Sequence, residues 1–194
     1  TTTLYSVINQ LKDGRKKIIT IEDPVEYKFS GLSQVQVNSK IGLTFANGLR
    51  SIVRQDPDII LVGEIRDRET ADIAINAALT GHLVLSTLHT NDAPGAVSRL
   101  LDMGVEGFLV SSALYGVMSQ RLVRVVCKEC DGSGVNYNFT GNRCRACSGT
   151  GFKGRTGIYE LLTVNDDMRR AITKNASSSE IAKLAVENGM IPLQ

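Results

Sequence analysis

The chain has 194 residues, 42% of them hydrophobic and 22% charged, the make-up of a soluble globular protein able to bury one core or a core plus a small appended module. Its 22 basic and 20 acidic residues leave a net charge of +2, so no global field draws it to nucleic acid, and the absence of tryptophan disfavours a base-stacking platform. No apolar run approaches the ~20 residues that a membrane span needs, so the expected location is in solution, or at a membrane only through partners.

The chain opens on Thr1-Thr2-Thr3-Leu4-Tyr5 and closes on Pro192-Leu193-Gln194, which reads as a fragment of a longer protein. Leu4, Val7, Ile8 and Leu11 predict a helix over 1–11, stopped by Asp13-Gly14. Ile18-Ile19-Thr20-Ile21 predicts a strand that delivers Glu22, Asp23 and, beyond Pro24, Glu26. These acids are either an acidic turn or one wall of a cleft. Residues 27–43 read as irregular or hairpin structure. Phe45, Leu49, Ile52 and Val53 mark one face of a helix from Thr44, and Arg50 and Arg54, four apart, project from it together. The two arginines are a solvated stripe or a phosphate-facing pair, because guanidinium forks suit phosphate oxygens.

Ile59-Ile60-Leu61-Val62, bounded by Pro57 and Gly63, is too short for a helix and reads as a strand buried on both faces of a parallel sheet. Glu64 then stands at the carboxyl end of that strand, the edge where open α/β sheets hold ligands. Residues 67–80 read as a helix apolar nearly all round, hence deeply buried. Leu83 to Leu88 is a further strand, with His89 at its carboxyl end and His82, a structural residue, at the other. Asn91-Asp92-Ala93-Pro94 caps a helix running to Gly104. Residues 105–126 are expected to be mostly helical, with Arg121 and Arg124 late in the stretch. Alternating helix and strand over 1–126 is the signature of a parallel sheet covered on both faces.

All four cysteines fall in two C-x-x-C pairs, Cys127 with Cys130 and Cys144 with Cys147, separated by thirteen residues. Four thiolates suit tetrahedral zinc with no position left for water, which makes the site structural and the compartment reducing. Free thiols or a redox pair are the alternative. With little apolar sequence nearby, the metal would be the core of this insert. Residues 154–162 read as a turn plus a strand or short helix, and 166–172 and 179–186 as two helices of a small lobe.

Four motifs now stand together: Ile21-Glu22-Asp23-Pro24-Val25-Glu26, Leu49-Arg50 with Arg54-Gln55-Asp56-Pro57-Asp58, Ile60-Leu61-Val62-Gly63-Glu64-Ile65-Arg66-Asp67, and Thr80-Gly81-His82 through His89-Thr90-Asn91. Over nearly the whole chain this set closely resembles the ATPases of type II secretion and type IV pilus assembly. The resemblance implies an α/β fold with a RecA-like P-loop NTPase core and parallel-rich sheet over 1–126. It also implies a tetracysteine zinc insert over 127–153 and a C-terminal helical lobe over 154–194. ATP, Mg2+ and Zn2+ are the implied cofactors. Glu22, Asp23 and Glu26 match the family's aspartate box, and Gly63-Glu64 its Walker B, with Glu64 as the catalytic acid. His89 matches the histidine box near the γ-phosphate, and Arg50, Arg54 and Arg66 match arginines near the nucleotide or a subunit boundary. Thr1 and Thr2 resemble the residues just after the family's Walker A lysine: Thr1 would ligate magnesium and Thr2 would meet a phosphate through its backbone N–H. The glycine-rich loop and its lysine are not in this sequence, so the fragment alone is expected to bind and hydrolyse ATP poorly.

The resemblance further implies a hexameric motor in the cytoplasm, peripheral to the inner membrane. Its partners would be inner-membrane platform and anchoring proteins of the secretion or pilus machinery, not nucleic acid. The competing readings are a pilus-assembly ATPase, a non-catalytic zinc-knuckle binding module, and an inactive truncated paralogue. The glycines after each cysteine pair also look like the knuckles of J-domain chaperones, which we read as convergence on zinc-knuckle geometry.

Overall fold

The computed structural model describes residues 2–135 and 142–193. Helix α1 (Thr2–Leu11) leads into β1 (Ile18–Glu22), β2 (Ser33–Gln36), α2 (Phe45–Val53), β3 (Ile59–Val62), α3 (Arg68–Leu79) and β4 (Leu83–Ser86). Then come α4 (Ala93–Asp102), α5 (Gly107–Ala113), β5 (Gly116–Val126), β6 (Phe152–Thr163), α6 (Asp166–Thr173) and α7 (Ser178–Glu187). The first four strands make a parallel sheet in the order β2-β1-β3-β4. Every residue of β1 and β3 is buried, and no residue of the flanking β2 and β4 is fully so.

Both faces of the sheet are covered, which is why β3 is continuously apolar and β1 carries isoleucines on both faces instead of alternating apolar with polar. Ile18, Ile59 and Leu61 pack with Tyr5 and Ile8 of α1. Ile19, Ile21, Ile60 and Val62 point the other way, into a larger cluster with Leu49, Ala71, Ala74 and Val110 from α2, α3 and α5. Leu162, Met168, Ile172 and Ile181 belong to that same cluster, so the elements after β5 share its apolar interior. No helix among the described residues is long and apolar enough to cross a membrane.

Three local expectations are corrected. Residues 27–43, expected to be irregular or a hairpin, include β2, which lies parallel to β1 with Ile21 opposite Val35, and beyond it an antiparallel bridge from Asn38 to Leu43. Helix α3 is buried on one face only, and Leu79 is 41% exposed, because α2, α5 and β4 flank it without enclosing it. Most important, 105–126 is not mostly helical. Only Gly107–Ala113 is helix, and Gly116–Val126 pairs antiparallel with β6, Gly116 opposite Thr163 and Arg124 opposite Arg155. The four valines at 117, 123, 125 and 126 suit a pleated strand, but the partner that makes it one lies beyond the cysteine insert. The cysteines sit at the tip of this two-stranded ribbon.

Candidate active site and thiolate cluster

The exits of β1 and β3 and the loop after β4 open on one cavity of about 170 Å³. Glu22, Asp23, Glu26, Gly63, Glu64, Thr87 and His89 line it, with Leu4, Phe45 and Leu61 on its apolar side. Gly63 makes this convergence possible. A Cβ there would sit 3.2 Å from the Ile21 carbonyl oxygen and 3.3 Å from Glu22 Cα, while the Gly63 N–H donates to that same carbonyl at 2.7 Å. A bulkier residue would hold the two strand exits apart.

Glu64 is buried, and its two oxygens are separately engaged. Oε1 pairs with the Arg66 guanidinium at 2.6 Å and Oε2 with His89 Nε2 at 2.9 Å. Burial alone would raise this carboxyl, but the Arg66 fork and then the imidazole hold it below the usual carboxylate range. The His89 side chain is 82% exposed, so Glu64 and its own backbone are what orient it. The start of that loop is tied down by Thr87, whose Oγ1 donates to the Gly63 carbonyl at 2.7 Å and whose carbonyl accepts from Ile65 N–H at 3.0 Å.

Glu22 differs from its neighbours. Its carboxylate accepts from Tyr5 Oη, from Thr20 Oγ1 at 2.5 Å and from Gln34 Nε2 at 3.3 Å, and the residue is 3% exposed. Burial, and then the bonded carboxylate, push the Tyr5 hydroxyl up to about 12. Asp23 and Glu26 are exposed on the cavity's rim. Arg50 pairs with Glu69 across α2 and α3, Arg54 is exposed at the C-terminal end of α2, and neither lines the cavity. Thr2 is exposed at the start of α1, while Thr1 lies outside the described residues. Sequence reasoning passed over Tyr5, Thr20, Gln34, Phe45 and Thr87. One of these was readable: Thr20 and Glu22 lie two apart on a strand and so share a face.

The four cysteine sulfurs lie within 4.8 Å of one another, and all four residues are buried. Cys127 and Cys144 sulfurs are 4.0 Å apart, Cys130 and Cys147 3.7 Å. Disulfides would need about 2 Å, whereas a tetrahedral ion with ~2.3 Å bonds to sulfur would space the thiolates about 3.8 Å apart. The cluster can therefore hold a metal ion. The two knuckles brace each other, Cys127 N–H donating to the Gly151 carbonyl at 2.9 Å and Cys144 N–H to that of Gly134 at 2.8 Å. Burial would raise the Cys147 thiol, but the Gly151 N–H aimed at its sulfur from 3.3 Å and the flanking thiols bring it down to about 6.

Residues 1–192 match the model of the type II/IV secretion system protein family. The chain belongs to that family. It is 49% identical over 205 residues to the type II secretion system protein E of Pseudomonas aeruginosa, a match covering 97% of this chain and 41% of that protein. The type IV pilus assembly ATPase PilB of Thermus thermophilus is also 49% identical, over 99% of this chain and 24% of its own length. The chain thus spans less than half of these relatives. Among solved structures, the pilus retraction motor PilT with bound ADP superposes with a TM-score of 0.70 at 32% identity, covering 99% of this chain and 55% of that one. The Legionella pneumophila ATPase DotB reaches 0.65 at 25% identity, covering 98% and 53%. The parallel sheet of this family member is accordingly the α/β architecture of the secretion and pilus ATPases.

Proposed function

We propose that the chain is part of an ATP-hydrolysing motor of type II protein secretion, and that the β1–β3–β4 cavity is where hydrolysis occurs. One observation carries this reading: Glu64, at the exit of a central buried strand, shares a small polar cavity with Asp23, Glu26 and His89. A carboxyl held below its usual range is ionised at neutral pH and is a weak base. Glu64 therefore acts by orienting the attacking water through a hydrogen bond. His89 and Arg66 fix the carboxylate from either side, and Arg66 is exposed enough to turn toward substrate phosphate. Asp23 and Glu26, on the rim, are the residues to hold a hydrated magnesium ion, which when bound neutralises charge on the phosphate oxygens. Glu22, saturated by three internal donors, shapes the wall. Thr1 and Thr2 would meet the cation and a phosphate at the start of α1, where an α-helix attracts anions. Arg50 and Arg54, outside the cavity, would serve a neighbouring subunit.

The thiolate cluster, with four sulfurs and no other donor, suits zinc in a structural role. The reading extends to a division along the chain at 126 and 153 into ATPase core, zinc insert and helical lobe, with the β5–β6 ribbon joining core to lobe. It also extends to a cytoplasmic hexamer working on inner-membrane platform and anchoring proteins, and to neither nucleic acid nor a membrane span of its own. Protein secretion relatives reach 54% identity, against 49% for the pilus assembly ATPase, which supports secretion over pilus assembly. In the full-length protein, Glu64→Gln should lower ATP turnover by roughly two orders of magnitude or more while nucleotide affinity stays within a few-fold. A turnover number equal to the parent's would remove Glu64 from this role.

A further inference from the structure

We infer that Glu160 is a positioning residue for His89, an assignment that rests on reading His89 and Glu64 as residues of the reacting site. Glu160 lies on β6 within the apolar run Ile158 to Leu162, is 3% exposed, and takes part in no ion pair among the described residues. An ionised carboxylate is costly to bury without partners, and its partners here are two backbone amides. Oε1 accepts from Ala93 N–H at 2.6 Å and Oε2 from Leu193 N–H at 2.8 Å.

Ala93 is the first residue of α4, four positions after His89. In that first turn Pro94 has no N–H and the Gly95 N–H is taken by the Asp92 cap at 2.7 Å, which leaves the Ala93 N–H to Glu160. A carboxylate at a helix N-terminus is also favoured by the helix dipole. From the neighbouring strand, Arg121 Nη2 donates to the Asn91 carbonyl at 3.3 Å. The ribbon therefore clamps residues 91–93, the far end of a loop whose near end is fixed at Gly63 and Ile65. His89, with a largely exposed ring, takes its place from these two backbone anchors and its single bond to Glu64. A displacement of about 1 Å at such a group can cost a hundredfold in rate. Glu160 transmits position and touches no reacting atom.

The experiment is a double-mutant cycle in the full-length protein with Glu160→Ala, His89→Ala and the pair, with Glu64→Gln alongside. Glu160→Ala should lower kcat roughly 10- to 100-fold with KM for ATP within about threefold, and should add almost nothing in the His89→Ala background. Multiplying losses, an unchanged kcat, or a His89→Ala variant with parental turnover would each overturn the assignment. If Glu160→Ala does not accumulate as folded protein, the isosteric Glu160→Gln takes its place in the cycle under the same criteria. Glu64→Gln separates the two claims. Parental turnover in Glu64→Gln sinks the hydrolytic reading itself, whereas an inactive Glu64→Gln beside multiplying Glu160 and His89 losses sinks only this one.

Discussion

At the scale of single residues, the cavity holds two acids in opposite circumstances. Glu22 is saturated by Tyr5, Thr20 and Gln34, while Glu64 is held by two partners that each touch solvent. The two acids differ in pH signature as a result. A raised Tyr5 hydroxyl means that the unfolded chain loses its proton first. Stability from the Tyr5–Glu22 contact is thus complete below about pH 10 and is lost as pH rises toward about 12. Tyr5→Phe should flatten that alkaline decline in urea midpoints measured from pH 8 to 12, and an unchanged slope would assign the decline elsewhere. Glu64 has the reverse sign. Its lowered carboxyl contributes stability above the ordinary glutamate range and loses it as pH falls through the folded value. Arg66→Ala should therefore lower stability near neutral pH and flatten the acid limb of the curve, read from the same midpoints, and an unchanged limb would assign the acid decline elsewhere.

At the scale of elements, β3 is the beam of the sheet, paired with β1 on one side and β4 on the other. Ile60 is fully buried at its centre, within the cluster that joins α2, α3 and α5. Truncation to alanine should cost about 2–5 kcal/mol by removing transfer energy and leaving a cavity, measured by urea denaturation. A loss below about 1 kcal/mol would show that the cluster closes over the gap. The burial of β3 was legible in Ile59 to Val62, since four consecutive apolar residues bounded by turn formers leave little choice, and that of β1 in Ile18, Ile19 and Ile21, which place isoleucines on both faces of the strand. The β5–β6 ribbon was not. Its Thr163 and Gly116 are neighbours across forty-seven positions of chain, and no window of sequence contains both.

At the scale of the whole molecule, the thiolate cluster is held differently from the rest. Among the described residues its apolar packing is limited to the cysteines and Ala146, whereas the sheet has an apolar cluster on each face. A chelator should therefore release the region around 127–153 while leaving β1–β4 folded, because metal binding supplies the folding energy of so small a unit. Hydrogen exchange should show protection lost in the knuckles and retained at Ile60 and Val62. Retained protection at the knuckles in metal-free protein would mean that the glycine turns and backbone bonds suffice.

Sequence alone determined the features with a local cause: the buried central strands, the acids and histidine beyond the carboxyl ends of strands, the four cysteines by spacing, and the cap at Asp92. The tertiary structure decided which charges meet. It turned Glu22 inward onto Tyr5, set Arg66 and His89 on either oxygen of Glu64, drew Arg50 away to Glu69, and brought Glu160 under the first turn of α4. These are contacts between side chains far apart along the chain, and a few ångströms of packing choose among partners that composition and spacing leave equally available.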